Sequence, residues 1–281
     1  MTDTPSDLPP ETRVGRVALR VADLDRLTAF YRTVVGLDVL TRHDDRATLG
    51  AGDAPLLELV AAPDDSPRGD DEAGLFHTAF RVPSRAALAA ALARVRDEWR
   101  LDGASDHEVS EALYLTDPEG NGIEVYRDRP RTEWPHAPDG SVRMSTLPLD
   151  LEALSAAADT PAAVVPAGTD VGHVHLEVTS LASARAFYVD ALGLRVRQRY
   201  GDEALFVAAG DYHHHIGLNT WNGRSVPRTG RGLDWFELLV PPATLDAVER
   251  RLAADDVAVD PVDGGLDVRA PDGVGLKLRT P

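Results

Sequence analysis

Apolar and polar positions at the start of the chain change from a strand-like to a helix-like spacing. The segment VGRVALRV from Val14 is a short apolar strand, and the residues that follow, DLDRLTAFYRTVVG, place their apolar side chains on one face of a helix. Gly36 is a helix stop, and another apolar strand comes after it. The pattern predicts a unit in which a strand, a helix and further strands follow one another.

This unit occurs a second time in the chain. VGHVHLEVTSLASARAFYVDALGLRVR, from Val171, repeats it with a constant offset, since Arg16 and His173 are 157 positions apart, as are Gly36 and Gly193. The repeated Phe30-Tyr31 and Phe187-Tyr188 pairs are expected to pack in the core.

A second pair of repeats lies between and after these two. Phe76–Val82 and the helix predicted at Ser84–Arg100 resemble Trp235–Val240 and the helix predicted near Thr244–Ala254. The closing segments DPEGNGIEVY and APDGVGLKLR also match. The sequence therefore predicts an α+β protein of four modules, each a strand, a helix and three strands, at 14–62, 74–127, 171–221 and 231–281.

The segments outside the modules define the predicted domain organisation. Residues 1–13 are expected to form a flexible tail, and 14–127 to hold modules one and two. Residues 128–170 are too long for an ordinary loop and are expected to form a solvated connector with one short helix near Leu151. Residues 171–281 would hold modules three and four.

Composition restricts the compartment and the metal chemistry. The 281 residues, 43% of them hydrophobic, can bury a substantial core. No apolar run approaches the roughly 20 residues needed to cross a bilayer, and the N-terminus is polar and rich in proline, so a cytoplasmic protein with no membrane partner is expected. There are no cysteines, so any metal must be bound by His and carboxylate ligands.

The charge balance is strongly acidic. The formal net charge is −17, and Lys277 is the only lysine. Such a chain repels nucleic acid and anionic membranes, so neither is an expected partner. The composition resembles the acidic surface of proteins from salt-loving organisms, and the alternative is an acidic mesophilic protein.

The stretch most informative about chemistry is Ser105–Tyr126, SDHEVSEALYLTDPEGNGIEVY. It predicts two strands joined by a turn at Asp117–Gly122, where proline comes early and glycines late. Glu124 stands alone between Ile123 and Val125. Its carboxylate either lies on the solvated face of an edge strand or points into a site.

The sequence D-P-E-G-N-G-I-E-V-Y resembles the last turn and strand of a βαβββ module of the vicinal oxygen chelate superfamily, which includes glyoxalases, bleomycin resistance proteins and extradiol dioxygenases. The resemblance implies that the four modules form two incomplete-barrel domains. It also implies that a metal is held by the first strand of each paired module and by a last strand. Those positions here are Arg16, Glu58, His77, Glu124, His173, Trp235 and Lys277.

The choice of paired modules decides the implied ligand set. Modules one and two together would offer His77, Glu124 and Glu58 with the cationic Arg16, and modules three and four would offer His173 alone. Modules two and three bring together His77, Glu124 and His173, the set of two histidines and one carboxylate that is typical of non-haem Fe(II) oxygenases. The resemblance thus implies Fe(II), with Mn(II) or another divalent metal as the alternative. A lone histidine on a strand can also be an ordinary core residue.

Further residues resemble those of the extradiol dioxygenases. Tyr114 matches a tyrosine that contacts the substrate, His107 matches a loop histidine over the site, and His214 matches the acid/base histidine. The register of the last could slip to His213 or His215. Because three consecutive histidines would alternate across a strand, His214 is expected to face opposite to both neighbours.

The resemblance therefore implies an extradiol dioxygenase that acts on a catechol-type aromatic and O2. One alternative is a glyoxalase-type isomerase, which commonly has a second last-strand carboxylate, although Ile216–Thr220 contains no acid. Another is a resistance-type protein that binds a small molecule without turnover. The sequence does not fix the number of subunits, and a homo-oligomer is compatible with it.

Overall fold

The computed structural model describes residues 7–138, 141–158 and 162–281. The first six residues of the predicted tail, and five residues of the predicted connector, lie outside the described residues. Within the rest of the tail, Leu8 is buried and its backbone N–H donates to the carbonyl of Gly193 over 2.8 Å. The tail is thus anchored at Leu8.

Modules one and two each contain a strand, a helix and three strands. Their elements are β1 (Arg13–Val21), α1 (Leu24–Phe30), β2 (Asp38–Arg42), β3 (Arg46–Ala51), β4 (Ala54–Ala61), β5 (Gly74–Arg81), α2 (Arg85–Glu98), β6 (Gly103–Asp106), β7 (Ser110–Thr116) and β8 (Gly122–Asp128). The connector then contributes β9 (Leu147–Pro148) and α3 (Leu151–Ser155). The short helix predicted near Leu151 is confirmed.

Modules three and four repeat this order. Their elements are β10 (Asp170–Glu177), α4 (Leu181–Arg185), β11 (Arg195–Tyr200), β12 (Ala204–Ala208), β13 (Ile216–Asn219), β14 (Gly232–Leu239), α5 (Leu245–Ala254), β15 (Val259–Val262), β16 (Gly265–Arg269) and β17 (Gly275–Arg279). In modules two, three and four the first strand pairs in parallel with the last strand.

The strands form two sheets that combine modules out of chain order. The nine-stranded sheet has the order β11-β12-β13-β10-β5-β8-β7-β6-β9, and the eight-stranded sheet has the order β15-β16-β17-β14-β1-β4-β3-β2. Modules two and three therefore share one sheet. This is the pairing on which the predicted set of two histidines and one carboxylate depends.

The chain divides into two compact units. One comprises Met1–Val17, Ser66–Phe76 and His173–Pro281, and the other comprises Ala18–Asp65 and His77–Gly172. Each unit buries the aromatic pair of its repeated helix. The ring centroids are 5.3 Å apart for Phe30 and Tyr31 and 4.9 Å apart for Phe187 and Tyr188, and both pairs meet edge to face. The prediction that these pairs belong to the core is confirmed.

Both repeated helices end in a wider turn than the sequence predicts. Helix α1 continues into a π-helical turn, in which the N–H of Gly36 donates to the carbonyl of Tyr31 over 3.0 Å. Gly36 has a φ of +88°, and the guanidinium of Arg94 lies against it and donates to the carbonyl of Val35 over 2.9 Å. Burial lowers the pKa of Arg94 to about 10. Arg94 is therefore still charged at neutral pH, as suits the C-terminal end of a helix.

No helix within the described residues is both long and apolar enough to cross a membrane.

Candidate metal centre

His77 and Glu124 lie on neighbouring strands of one sheet. Strands β5 and β8 run parallel and pair Ala79 with Glu124. Both side chains are buried, and Nε2 of His77 lies 3.0 Å from Oε2 of Glu124. Glu124 is 2% exposed, and β8 lies between β5 and β7 rather than at an edge. Of the two alternatives left open for Glu124, the solvated one is wrong.

The turn before β8 is fixed by one buried carboxylate. Asp117 accepts hydrogen bonds from the backbone N–H groups of Glu119 over 2.8 Å and Asn121 over 2.9 Å, and from the hydroxyl of Tyr31 over 3.1 Å. Burial raises the pKa of Asp117, and the hydrogen bonds from Asn121, Glu119 and Tyr31 oppose the increase. Glu119 in turn accepts from the N–H of Ala22 over 2.8 Å. These contacts connect the strand that carries Glu124 to the first module.

A row of hydrogen-bonded side chains leads from Glu124 to His107. Tyr114 lies opposite Glu124 in the pairing of β7 with β8, and its hydroxyl hydrogen-bonds the Glu124 carboxylate. Nε2 of His107 lies 2.7 Å from the Tyr114 hydroxyl, and the Tyr114 ring is 5.7 Å from the ring of His77. Burial, together with the negative charge of Glu124, raises the pKa of Tyr114 well above its usual value. The predicted residues Tyr114 and His107 thus lie beside two predicted ligands.

His173 has two histidine neighbours from the run that the sequence singled out. It is buried on β10, and the centroid of its ring is 4.1 Å from that of His214 and 6.2 Å from that of His213. Nδ1 of His213 lies 2.8 Å from Nδ1 of His214. The structure therefore brings His214 against a predicted ligand.

The expectation that His214 faces opposite to both neighbours is wrong. The chain bends through His213–His215, and β13 begins only at Ile216, so the alternation of a strand does not apply. The bend is held by tertiary hydrogen bonds, because Nδ1 of His215 accepts from the N–H of Ala209 over 3.2 Å and Arg197 donates to the carbonyl of Tyr212 over 3.1 Å.

The ligand atoms of His77, Glu124 and His173 all lie within 4.8 Å of one another, and all three residues are buried. Two imidazoles and one carboxylate are a donor set suited to a divalent transition metal, and they leave further coordination positions open. The 3.0 Å between His77 and Glu124 also fits two ligands around one ion with bonds of about 2.1 Å. These residues fit the metal that the sequence implies.

The matching positions in modules one and four carry cations that are held by protein groups. Arg16 donates to the buried carboxylate of Glu237 over 2.8 Å, and the ammonium of Lys277 lies 3.7 Å from the ring centroid of Trp235. An ion pair and a cation–π contact already occupy this cluster. It is unsuited to a divalent cation.

Sequence reasoning missed His175, which lies two positions beyond His173 on β10. It is buried, Nε2 lies 3.1 Å from the Nδ2 of Asn219, and its ring is 5.0 Å from that of Phe76 and 5.4 Å from that of Trp221. The period of two along a strand could have placed it on the same strand face as His173.

Comparison with known proteins shows the family of the chain. Residues 13–125 match the model of the Glyoxalase/Bleomycin resistance protein/Dioxygenase superfamily. The Catechol-2,3-dioxygenase of Bacillus subtilis (strain 168) is 40% identical over 269 residues, which cover 93% of this chain and 94% of that protein. The chain belongs to this superfamily. A superfamily member of this kind has the α+β fold that the sequence predicts, and that fold class is confirmed.

Solved structures show the same fold at low identity. A protein of Bacillus subtilis subsp. subtilis str. 168 has a TM-score of 0.65 at 15% identity, over 98% of this chain and 86% of that chain. Glyoxalase I from Zea mays has a TM-score of 0.58 at 18% identity, over 96% of this chain and 92% of that chain. At these identities the likeness concerns the superfamily fold alone.

Proposed function

We propose that the chain is an extradiol dioxygenase that opens the ring of a catechol-type aromatic with O2 and uses Fe(II) as its metal. The observation that carries the proposal is the buried group of His77, Glu124 and His173. The 40% identical relative, named Catechol-2,3-dioxygenase, supports the reaction class.

The three side chains suit the cofactor of such a reaction. Fe(II), or Mn(II) as the alternative, would supply open coordination positions at which the substrate oxygens and O2 are brought together. The burial of His77, Glu124 and His173 would keep bulk water away from that position.

Two groups of residues would handle protons around the metal. His214, next to His173, would take a proton from a substrate hydroxyl and return it later, as a histidine near neutral pH can. Tyr114, whose raised pKa keeps its hydroxyl protonated, would donate a hydrogen bond to a substrate oxygen. His107, 2.7 Å from that hydroxyl, would hold Tyr114 in place.

A glyoxalase-type isomerase is the weaker candidate. The last strand of module three, β13 (Ile216–Asn219), carries no carboxylate that could serve as a fourth protein ligand. This favours the open, three-ligand arrangement over the four-ligand one.

The proposal is tested by adding catechol and air to full-length protein loaded with Fe(II) under argon. We expect uptake of O2 together with the yellow absorbance of a ring-opened product. Failure of every simple catechol to give product or O2 uptake would contradict the proposal.

His214→Ala should keep its iron and slow ring opening by about 10²–10⁴-fold, while the exposed control His43→Ala should be unaffected. If His213→Ala or His215→Ala is impaired and His214→Ala is not, the acid/base role belongs to that neighbour.

A further inference from the structure

The connector packs against the loop that carries His107. We propose that residues 141–148, called the strap below, position His107 and determine which of its two ring nitrogens acts toward Tyr114. The catalytic meaning of this inference rests on the proposed function, whereas the contacts themselves do not. The strap belongs to the segment that the sequence predicts to be a connector, and several of its residues are exposed.

Ser145 contacts both the ring and the backbone of His107. Nδ1 of His107 lies 2.6 Å from the carbonyl oxygen of Ser145, and the N–H of Ser145 donates to the carbonyl of His107 over 3.4 Å. His107 is only partly exposed, and its other ring nitrogen lies 2.7 Å from the Tyr114 hydroxyl. One ring nitrogen of His107 thus contacts the strap, and the other contacts a residue of the candidate site.

The strap is anchored to the His107 loop through Glu108. The Glu108 carboxylate accepts from the hydroxyl of Ser145 and, over 3.3 Å, from the guanidinium of Arg143. Glu108 has a φ of +65°, which is uncommon for a residue with a side chain. Its N–H donates to the Asp106 carboxylate over 2.8 Å, so the loop is held in this conformation from within.

Backbone pairing fixes the two ends of the strap. At its C-terminal end, β9 pairs antiparallel with β6, joining Leu147 to Asp106 and Pro148 to Ser105. At its N-terminal end, Val142 is buried and bridges to His136. The C-terminal end of the strap is therefore part of the sheet edge beside His107, and its N-terminal end is held within the connector.

The chemistry of the Ser145 contact selects one tautomer of His107. A carbonyl oxygen can only accept a hydrogen bond, so Nδ1 of His107 must carry the hydrogen. A neutral imidazole can hold its hydrogen on either nitrogen, and the one it uses is set by the partner of the other. With Nδ1–H engaged by Ser145, Nε2 is the nitrogen presented to the Tyr114 hydroxyl.

The tautomer can be read directly by ¹⁵N NMR of full-length protein with labelled histidine. The protein would be loaded with Zn²⁺, which is diamagnetic, and the His107 signals would be identified from their absence in His107→Gln. We expect Nδ1–H in the wild type. We expect a shift toward Nε2–H in Glu108→Gly combined with Ser145→Ala, because glycine suits the positive φ while both side-chain anchors are lost. Ser155→Ala is the matched control, since Ser155 lies in the same connector and contacts Arg96 and Leu151 instead.

Kinetics of the Fe(II)-loaded enzyme give a second readout. The combined variant should lose about 10- to 100-fold in kcat with KM and iron content unchanged, which is the cost of misplacing a catalytic contact. In a His107→Gln background the same changes should have no further effect beyond about twofold, because they act through His107.

An Nε2–H tautomer in the wild type, or Nδ1–H retained in the combined variant, would overturn the inference. If no catechol is turned over at all, the proposed function fails, and the NMR result still decides the role of the strap.

Discussion

Two buried tyrosines at equivalent positions of the repeat provide a test of the contacts that hold the turn before β8. Tyr31 and Tyr188 are each 1% exposed. The Tyr31 hydroxyl donates to Asp117 over 3.1 Å, whereas the Tyr188 hydroxyl has no hydrogen-bond partner within the described residues. The sequence explains the difference, because Ala270 stands in APDGVG where Asp117 stands in DPEGNG.

Tyr31→Phe removes a hydrogen bond between a buried hydroxyl and a buried carboxylate, and such bonds to charged groups contribute roughly 1.5–3 kcal/mol. Asp117 keeps its donors from Glu119 and Asn121, so we expect a loss near the lower limit, about 1.5–2 kcal/mol. Tyr188→Phe removes only an unsatisfied polar group. It should leave the free energy of unfolding unchanged or raise it by about 1 kcal/mol.

The pH dependence follows from the raised pKa of Asp117. Because burial holds its folded-state pKa above that of the unfolded chain, ionising Asp117 costs stability; the cost is absent below the unfolded pKa and complete above the folded one. The Tyr31 hydroxyl offsets part of this cost. The difference between Tyr31→Phe and the wild type should therefore be largest at neutral pH and narrow as the pH falls through the folded-state pKa.

The assay is urea unfolding of the wild type and both variants at neutral and at mildly acidic pH. A loss in Tyr188→Phe equal to that in Tyr31→Phe would refute the reasoning, since it would show that the hydroxyls matter for a reason other than the Asp117 contact. A Tyr31→Phe variant as stable as the wild type at neutral pH would refute it as well.

Two further predictions concern packing and charge. In Gly172→Ala the new methyl would lie 1.8 Å from the hydroxyl oxygen of the buried Tyr126. We expect the free energy of unfolding, measured by thermal unfolding, to fall by about 1–3 kcal/mol, and to recover in part in Gly172→Ala/Tyr126→Phe. Equal stability of the single and double variants would contradict this. The chain has a net charge of −17, and salt screens the repulsion between its like charges. The melting temperature should therefore rise from about 0.1 M salt toward molar salt, where the screening length falls to about 3 Å. A flat or falling melting temperature would argue against a salt-adapted surface.

The modular architecture could be predicted because it is written locally and repeated. The 157-residue offset aligns two strand–helix units, and Gly36 and Gly193 both have the positive φ expected after a helix. His77 and His173 could be located because each stands on the first strand of a module. The sheet that modules two and three share is the arrangement that this ligand set requires.

The parts that could not be predicted depend on contacts between distant residues. Tyr212–Leu218 has the composition of a strand, but hydrogen bonds from Ala209 and Arg197 keep its first part bent. The strap has no periodicity that would indicate pairing with β6, and the link from Ser145 to His107 spans 38 positions. Hydrophobic pattern alone does not report such contacts.

The central claim is that His77, Glu124 and His173 bind a divalent metal, and metal content after anaerobic purification tests it most directly. The matched variants are His173→Ala, His77→Ala and Glu58→Ala, the last being a partly buried carboxylate on β4 that lies 3.8 Å from Arg46. We predict about one metal ion per chain in the wild type and in Glu58→Ala, and severe loss in both histidine variants, because a site with three protein ligands does not survive removal of one. Full occupancy in His173→Ala together with loss in Glu58→Ala would contradict the account.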